Sequence, residues 1–424
     1  MSRRRLEPRC WPWFAGRTSR RVATGSSPCG RRISNDSPRG RSSRRSRSKP
    51  GSTATPEPET PARPPLRVAL DAQAFAEDAT GVGRYIGALI EAFRASPSVD
   101  LMPYRDSGPR LIGPHLALPL RMRRDGARLV HGPANALPLL NTGLPGVVTI
   151  HDLAIYDHPE WFPAGQWFAT RVVVPQSARR ARMIICPSEA TKRATVRLFD
   201  IEPDRCRVIP HGVETEFALP ASPSVKDEVR ARYALPDRYL LQLGTIQPRK
   251  NYVTSLRALA RIPAPQRMPL IVAGAFGWKY DAVVDAVREL GLRDWVRFVG
   301  YAGMPDLPAL YQMAQAVLFP SLDEGFGLPL LEAFAAGTPV VASNAGAIPE
   351  VAGDAALLSA PEDAQALADN LLRLLTDRPL RERQVAAGRA RAALYTWSAS
   401  AAAHREVYES VVSPSRASRT VTGV

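Results

Sequence analysis

Two glutamates, Glu324 and Glu332, flank a glycine-rich turn in the run Glu324-Gly325-Phe326-Gly327-Leu328-Pro329-Leu330-Leu331-Glu332-Ala333, with seven residues between them. Val317-Leu318-Phe319-Pro320 ahead of the turn is the short apolar run of a buried parallel strand, and Gly325 and Gly327 allow a sharp bend that leaves backbone N–H groups open to a ligand. Pro329 suits the first turn of a helix, Leu328 to Ala336 are mostly good helix formers, and Gly337-Thr338-Pro339 is a stop signal. At about 1.5 Å per residue, Glu332 lies only some 4–5 Å along the axis from Pro329, so both carboxylates cluster at the helix's positive end. Free N–H groups and the helix dipole there favour an anion such as a phosphate. The ionised carboxylates are then placed to accept from hydroxyl groups on either side of it. Paired carboxylates also suit a glycosidase's acid and base. A general acid needs a raised pKa, however, and a helix N-terminus pushes both residues the other way.

The elements that position these groups repeat along the chain. Leu66-Arg67-Val68-Ala69-Leu70 reads as a strand, followed by a loop with Gly81-Val82-Gly83 and an apolar-periodic helix from about Arg84 to Phe93. Further short apolar runs lie at 128–131, 146–151, 183–186 and 206–210, then at 239–244, 270–274, 296–300, 316–319 and 339–342, with a linker at Pro220 to Pro223. The expected fold is α/β, with two doubly wound domains over 66–220 and 221–394. Ligands of such sheets bind at the carboxyl ends of strands, and Gly81, His151, Gly244 and Glu324 all fall just past a strand's end. With 424 residues, the chain exceeds what one core of roughly 250–300 residues accommodates.

The net charge of +16 suggests a nucleic-acid binder until it is located. Residues 1–50 hold 14 Arg and one Lys against Glu7 and Asp36, while the rest carries 41 basic and 38 acidic residues. The charge therefore belongs to a tail over 1–65, rich in Arg, Ser, Pro and Gly, whose composition predicts disorder and no specific nucleic-acid partner. It also fits an organelle transit peptide, and Trp11, Trp13 and Phe14 among the arginines suit contact with an anionic membrane. No stretch approaches the 18 or so apolar residues of a membrane span. The expected location is the cytoplasm, or the inner face of the plasma membrane as a peripheral protein. Cys10, Cys29, Cys186 and Cys206 show no metal-ligand spacing and read as free thiols.

Taken together, these features resemble a retaining glycosyltransferase of family 4 with the GT-B fold, in which two Rossmann-like domains face each other across a cleft. The resemblance runs from about Leu66 to Val411. It rests on the Glu324 to Glu332 run with Gly346-Ala347-Ile348-Pro349-Glu350 behind it. Supporting motifs are Gly81-Val82-Gly83-Arg84-Tyr85, Ile150-His151-Asp152-Leu153, Pro187-Ser188-Glu189, Ile209-Pro210-His211-Gly212-Val213 and Gly244-Thr245-Ile246-Gln247-Pro248-Arg249-Lys250-Asn251.

The resemblance implies a nucleotide diphosphate sugar as donor and a glycan or lipid-linked acceptor. Glu332 would accept from the ribose hydroxyls, Glu324 would meet the transferred hexose, and Gly325, Phe326, Gly327 and Leu328 would line the sugar and pyrophosphate. Arg249 and Lys250 would neutralise the departing diphosphate, with Gly244 in the same loop. His151 would face the hexose, and Gly81 and Gly83 would let the first domain approach the diphosphate. Thr245 stands where some members carry arginine, which shifts the phosphate burden to Arg249 and Lys250. No cofactor and no metal are expected, the diphosphate being met by protein cations. GDP-mannose is the expected donor, with UDP- or dTDP-sugars as alternatives. A segment at 395–412 would cross back to the first domain, with Ser398 as its cap. His131 and His211 read as structural, Trp278 as core or sugar platform, and Glu350 as a cap of its own turn. Two other classes stay open. One is a sugar-nucleotide-binding protein without turnover, which Glu324 and His151 argue against. The other is a nucleic-acid binder resting on the tail alone.

Overall fold

The computed structural model describes residues 64–75, 81–94, 96–105, 118–140 and 143–413, all within the second of the chain's two compact units, residues 62–424. The expected tail over 1–65, with Cys10, Cys29, Trp11, Trp13 and Phe14, lies outside them except for residues 64 and 65.

Two six-stranded sheets carry the fold. The first holds β1 (Leu66–Asp71), β2 (Val99–Tyr104), β3 (Leu129–Gly132), β4 (Gly146–Thr149), β5 (Met183–Cys186) and β6 (Cys206–Val208), in the order β2-β1-β3-β4-β5-β6. The second holds β7 (Leu240–Leu243), β8 (Leu270–Ala273), β9 (Val296–Gly300), β10 (Ala316–Phe319), β11 (Val340–Ser343) and β12 (Ala356–Ser359), in the order β12-β11-β10-β7-β8-β9. Neighbouring strands pair in parallel. Parallel strands are covered on both faces, so they are written as continuous apolar runs. In β10 all four residues are buried. Val317 and Phe319 enter one core cluster, while Ala316 and Leu318 enter the cluster on the opposite face, as the two-residue period of a strand requires.

Each sheet reverses its direction of winding once, between β1 and β3 and between β7 and β10. Such a reversal opens a crevice at the carboxyl ends of the two strands. The β7 end leads to Gly244 and Arg249-Lys250, and the β10 end leads to Glu324.

Two edge strands escaped the reading of the sequence. β2 has Pro103 within it, which only an edge tolerates, and β12 is the four-residue Ala-Leu-Leu-Ser. The glycine loop is corrected as well. Gly81, Val82 and Gly83 form the first turn of a helix running Gly81–Arg94, where glycine sacrifices little because first-turn N–H groups have no helical partner. The last helix is Trp397–Val412. Its cap is Thr396, whose side chain accepts from Ala399 N, while Ser398 lies inside the first turn. Ala401, Val407, Tyr408 and Val411 of this helix pack with Val68, Leu70, Ile86 and Leu89 of the first lobe. The crossing back is thus an apolar contact around two buried hydrogen bonds, His404 to Tyr85 and Tyr408 to His131. Cys186 and Cys206 are free and buried. Among the described residues, no helix is long and apolar enough to cross a membrane.

Candidate active site

Glu324 sits past the end of β10, buried, and is held by two cations that follow β7. Arg249 Nη1 donates to its Oε2 at 2.8 Å, and Lys250 Nζ donates to its Oε1 at 2.5 Å. The two basic residues are fixed by their backbone. Leu322 N donates to Arg249 O at 2.8 Å, and Gln242 Nε2 donates to Lys250 O at 2.9 Å. Asn251, left-handed at φ 54°, donates from Nδ2 to the carbonyls of Pro320 and Pro361. Burial alone would raise the Glu324 carboxyl. The charges of Arg249 and then Lys250 reverse that and hold it at about 2. Burial lowers Lys250, with Glu324 opposing. Arg249 Nε is buried without a hydrogen-bond partner, leaving one donor of the guanidinium to spare.

Gly327 opens the helix Leu328–Ala336 at φ 113°, a conformation that only glycine adopts cheaply. Pro329 lies in its first turn, and Gly337 ends it in the left-handed region. Opposite stands the start of the Gly81–Arg94 helix. A Cβ on Gly81 would lie 3.9 Å from Leu328 Cδ1. The first residues of these two helices, one from each lobe, thus lie within van der Waals reach of each other, while Arg249 and Lys250 are gathered on Glu324 past the end of β10. A helix start favours an anion.

Glu332 is placed differently from the expectation. It has no exposed surface, and both of its oxygens are engaged inside the protein. Oε1 accepts from Arg84 Nη1, and Oε2 accepts from Tyr311 OH at 2.6 Å. Arg84 also grips Glu214 through Nη2 at 2.6 Å and Nε at 3.3 Å. Burial, followed by the Glu332 charge, raises the Tyr311 phenol.

The first lobe meets this loop closely. Gly325 O accepts from Ser188 Oγ at 2.7 Å and Thr191 Oγ1 at 3.1 Å, and a Cβ on Gly325 would lie 1.8 Å from His151 O. Only glycine fits there. Glu350 does not cap its own turn. Its carboxylate accepts from Glu189 N at 2.8 Å and Ala190 N at 3.2 Å, closing the first turn of the helix Glu189–Phe199 in the other lobe. Phe326 is buried and packs edge-on against His211 and Tyr395.

Both ring nitrogens of His151 are engaged inside the first lobe. Nε2 lies 2.6 Å from Pro133 O and Nδ1 lies 3.3 Å from His211 Nε2. A carbonyl only accepts, so Nε2 carries the proton in the neutral ring and His211 Nε2–H donates to Nδ1. His131 and His404 are buried beside this pair and linked through Tyr85, Thr149 and Tyr408, and the Tyr85 ring packs against His151 and His211. Burial lowers all four. His404 is driven to about 4, against the Ser400 carbonyl it donates to. His131 is enclosed by Thr149 and Tyr408, and His211 is buried against His151 and Phe326. Trp278 donates from Nε1 to Trp161 O at 2.7 Å and ties the second lobe to the first.

Of the residues singled out from sequence, Glu324, Arg249 and Lys250 are in direct contact, Gly81 lies near Leu328, and Gly325 lies against His151. Gly244 lies behind Lys250, with 3.4 Å from its Cβ position to Lys250 Cε. Gly83 is buried within its helix. Arg84, Glu214, Tyr311 and Ser188 were not assigned roles. Arg84 was signalled by its place after the glycines, whereas Tyr311 had no local mark.

Comparison with known proteins follows the same geometry. The family described as Glycosyl transferases group 1 matches residues 225–391, and that described as Glycosyltransferase Family 4 matches residues 76–217. The O-antigen chain mannosyltransferase B of Escherichia coli is 35% identical over 272 residues, covering 63% of this chain and 71% of that protein. A D-inositol 3-phosphate glycosyltransferase of Frankia alni is 35% identical over 294 residues, covering 64% and 70%. Among solved structures, the sucrose-phosphate synthase of Thermosynechococcus elongatus superposes with a TM-score of 0.67 at 24% identity, over 82% of this chain and 99% of that one.

Proposed function

We propose, from the premise that the chain belongs to the family 4, group 1 glycosyltransferases of the GT-B fold and is a hexosyltransferase, that its donor diphosphate is held between the first turns of the Gly81–Arg94 and Leu328–Ala336 helices. The observation that carries this reading is the meeting of those two helix starts, Gly81 against Leu328, together with the pairing of Arg249 and Lys250 on Glu324 in the loop that leads into the second helix. The chemistry then needs little beyond positioning and charge. Arg249 and Lys250 stabilise the leaving diphosphate, and the spare Nε–H of Arg249 adds a donor without disturbing Glu324. Glu324, ionised at any physiological pH, accepts from hydroxyls of the hexose and stabilises positive charge growing at the anomeric carbon. A carboxyl held at about 2 cannot serve as a general acid near neutrality, which disfavours a glycosidase.

Transfer proceeds with retention, on one face of the sugar, and the departing phosphate oxygen takes the acceptor's proton. No metal is required, because protein cations and helix ends supply the positive charge. His151, neutral and with its tautomer set by Pro133, lines the hexose from the first lobe. Glu332 receives the ribose hydroxyls. The name of the mannosyltransferase relative supports mannose as the sugar, and GDP-mannose is the donor we propose; a UDP- or dTDP-sugar is the alternative. The acceptor is a glycan or lipid-linked glycan met by the first lobe, and the basic tail serves peripheral contact with an anionic membrane from the cytoplasmic side.

Calorimetric titration with GDP-mannose, UDP-glucose and a dTDP-sugar tests the reading, repeated on Glu324→Gln. One donor should bind to both forms within a few-fold, while transfer is lost only in the variant. Binding of none of the three, or equal transfer by both forms, contradicts it.

A further inference from the structure

Glu332 is inaccessible as long as its present partners stay. Tyr311 is fully buried and comes from the same lobe, at the 2.6 Å hydrogen bond to Oε2. Arg84 comes from the opposite lobe, is 13% exposed at its side chain, and holds a second carboxylate, Glu214, through two nitrogens. A ribose that reaches Glu332 must therefore displace Arg84 rather than Tyr311. The displacement keeps Arg84 paired through its two bonds to Glu214 but leaves the buried Glu332 with neutral partners only, Tyr311 and the ribose hydroxyls, a cost that the freed Nη1 must offset elsewhere. Arg84 is the fourth residue of the helix whose first residue lies near Leu328, within one turn of the helix start to which the diphosphate is assigned.

We propose that Arg84 is an exchanged counter-ion of the donor: ribose hydroxyls replace it on Glu332, and its freed guanidinium nitrogen, with Glu214 as anchor, engages the diphosphate. The inference rests on the ribose role of Glu332. It makes the first lobe a reader of the nucleotide's two halves at once, because one side chain yields to the sugar and then binds the phosphates. A nucleoside without phosphates displaces Arg84 and gains nothing in return. A nucleoside diphosphate recovers the lost ion pair.

The test is titration of the full chain with UDP, GDP and dTDP, and with uridine, guanosine and thymidine, on the parent, Arg84→Gln, Arg84→Lys and Glu332→Ala, with melting curves to establish folding. For the base that binds, Arg84→Gln should weaken the nucleoside diphosphate by roughly 10- to 150-fold, the span for a hydrogen bond to a charged group. The nucleoside should bind that variant at least as tightly as the parent. Arg84→Lys, which keeps the charge but not the fork, should recover part of the diphosphate affinity with the nucleoside still unweakened. Equal weakening of nucleoside and diphosphate by Arg84→Gln would mean that the arginine only scaffolds Glu332, and an unchanged diphosphate affinity would mean no exchange; either result overturns the proposal. Should Arg84→Gln not fold, a lysine variant that weakens both ligands equally overturns it in the same way. If Glu332→Ala leaves nucleoside affinity unchanged, the ribose role itself fails, whatever the Arg84 variants do.

Discussion

The two walls of the cleft keep their polar groups in opposite states. On the second lobe, Glu324, Arg249 and Lys250 are charged, buried and paired with one another. On the first lobe, His131, His211 and His404 are buried and His151 is partly buried; burial pushes all four toward neutrality, hydroxyls join His131 to His404, and His151 meets His211 directly. A charge survives burial only beside its opposite, so the wall with charges can act on a diphosphate, while the wall without them gives shape and fixed hydrogen bonds. Two first-lobe charges depart from that pattern: Asp152, whose charge acts on His151, Arg249 and Lys250, and Arg84, one of whose two carboxylate partners, Glu332, belongs to the second lobe.

Variants can break that contrast. The largest effect belongs to Glu324→Gln, which removes the negative charge while keeping the shape. Loss of a group that stabilises developing charge should lower kcat by about 100- to 1,000-fold, measured with the donor that binds. Next is Gly325→Ala. Its methyl would meet His151 O and hold the walls apart, and a displacement of about 1 Å at a reacting centre costs roughly 100-fold. Nucleotide affinity should change far less, so kcat and KM separate. Glu324→Ala should also cost about 3–5 kcal/mol in denaturant titrations, because it strands two buried cations. A neutral substitution in the histidine wall should not show that penalty.

Acid sharpens the comparison. His404 is lowered from 6.5 to about 4, so the unfolded chain binds the proton first. Its contribution is full above 6.5 and is lost as pH falls toward 4. Glu324 is lowered from 4.5 to about 2, so its contribution is full above 4.5 and is lost between there and 2. Stability measured against pH should therefore decline in two stages, the first-lobe stage at higher pH. His404→Gln should flatten the first stage without abolishing it, since three other histidines share it. The smallest effect expected is from Glu350→Gln. Weakening the cap on the Glu189–Phe199 helix should cost about 0.5–2 kcal/mol by thermal melting.

Much of this was legible in the sequence. Continuous apolar runs gave the buried strands, and the loop of Gly325 and Gly327 gave a helix start with Glu324 and Glu332 at its end, because these features are local. The edge strands β2 and β12 were not legible, being short, and the first interrupted by Pro103. Nor was the closing of Glu332. Its partners Arg84 and Tyr311 lie 248 and 21 residues away, and no local pattern links them. The histidine set draws on residues 131, 151, 211 and 404, which only the two-lobed fold and the returning last helix bring together.

The account turns on where the diphosphate rests, and a crystal structure with a bound nucleoside diphosphate tests that most directly. The expected result is phosphate oxygens within hydrogen-bond reach of backbone N–H groups at the start of the Leu328–Ala336 helix and of Arg249, with the Gly81–Arg94 helix start opposite. A diphosphate bound elsewhere, with Arg84 still on Glu332 and the gap between the two helix starts filled by side chains, would contradict it.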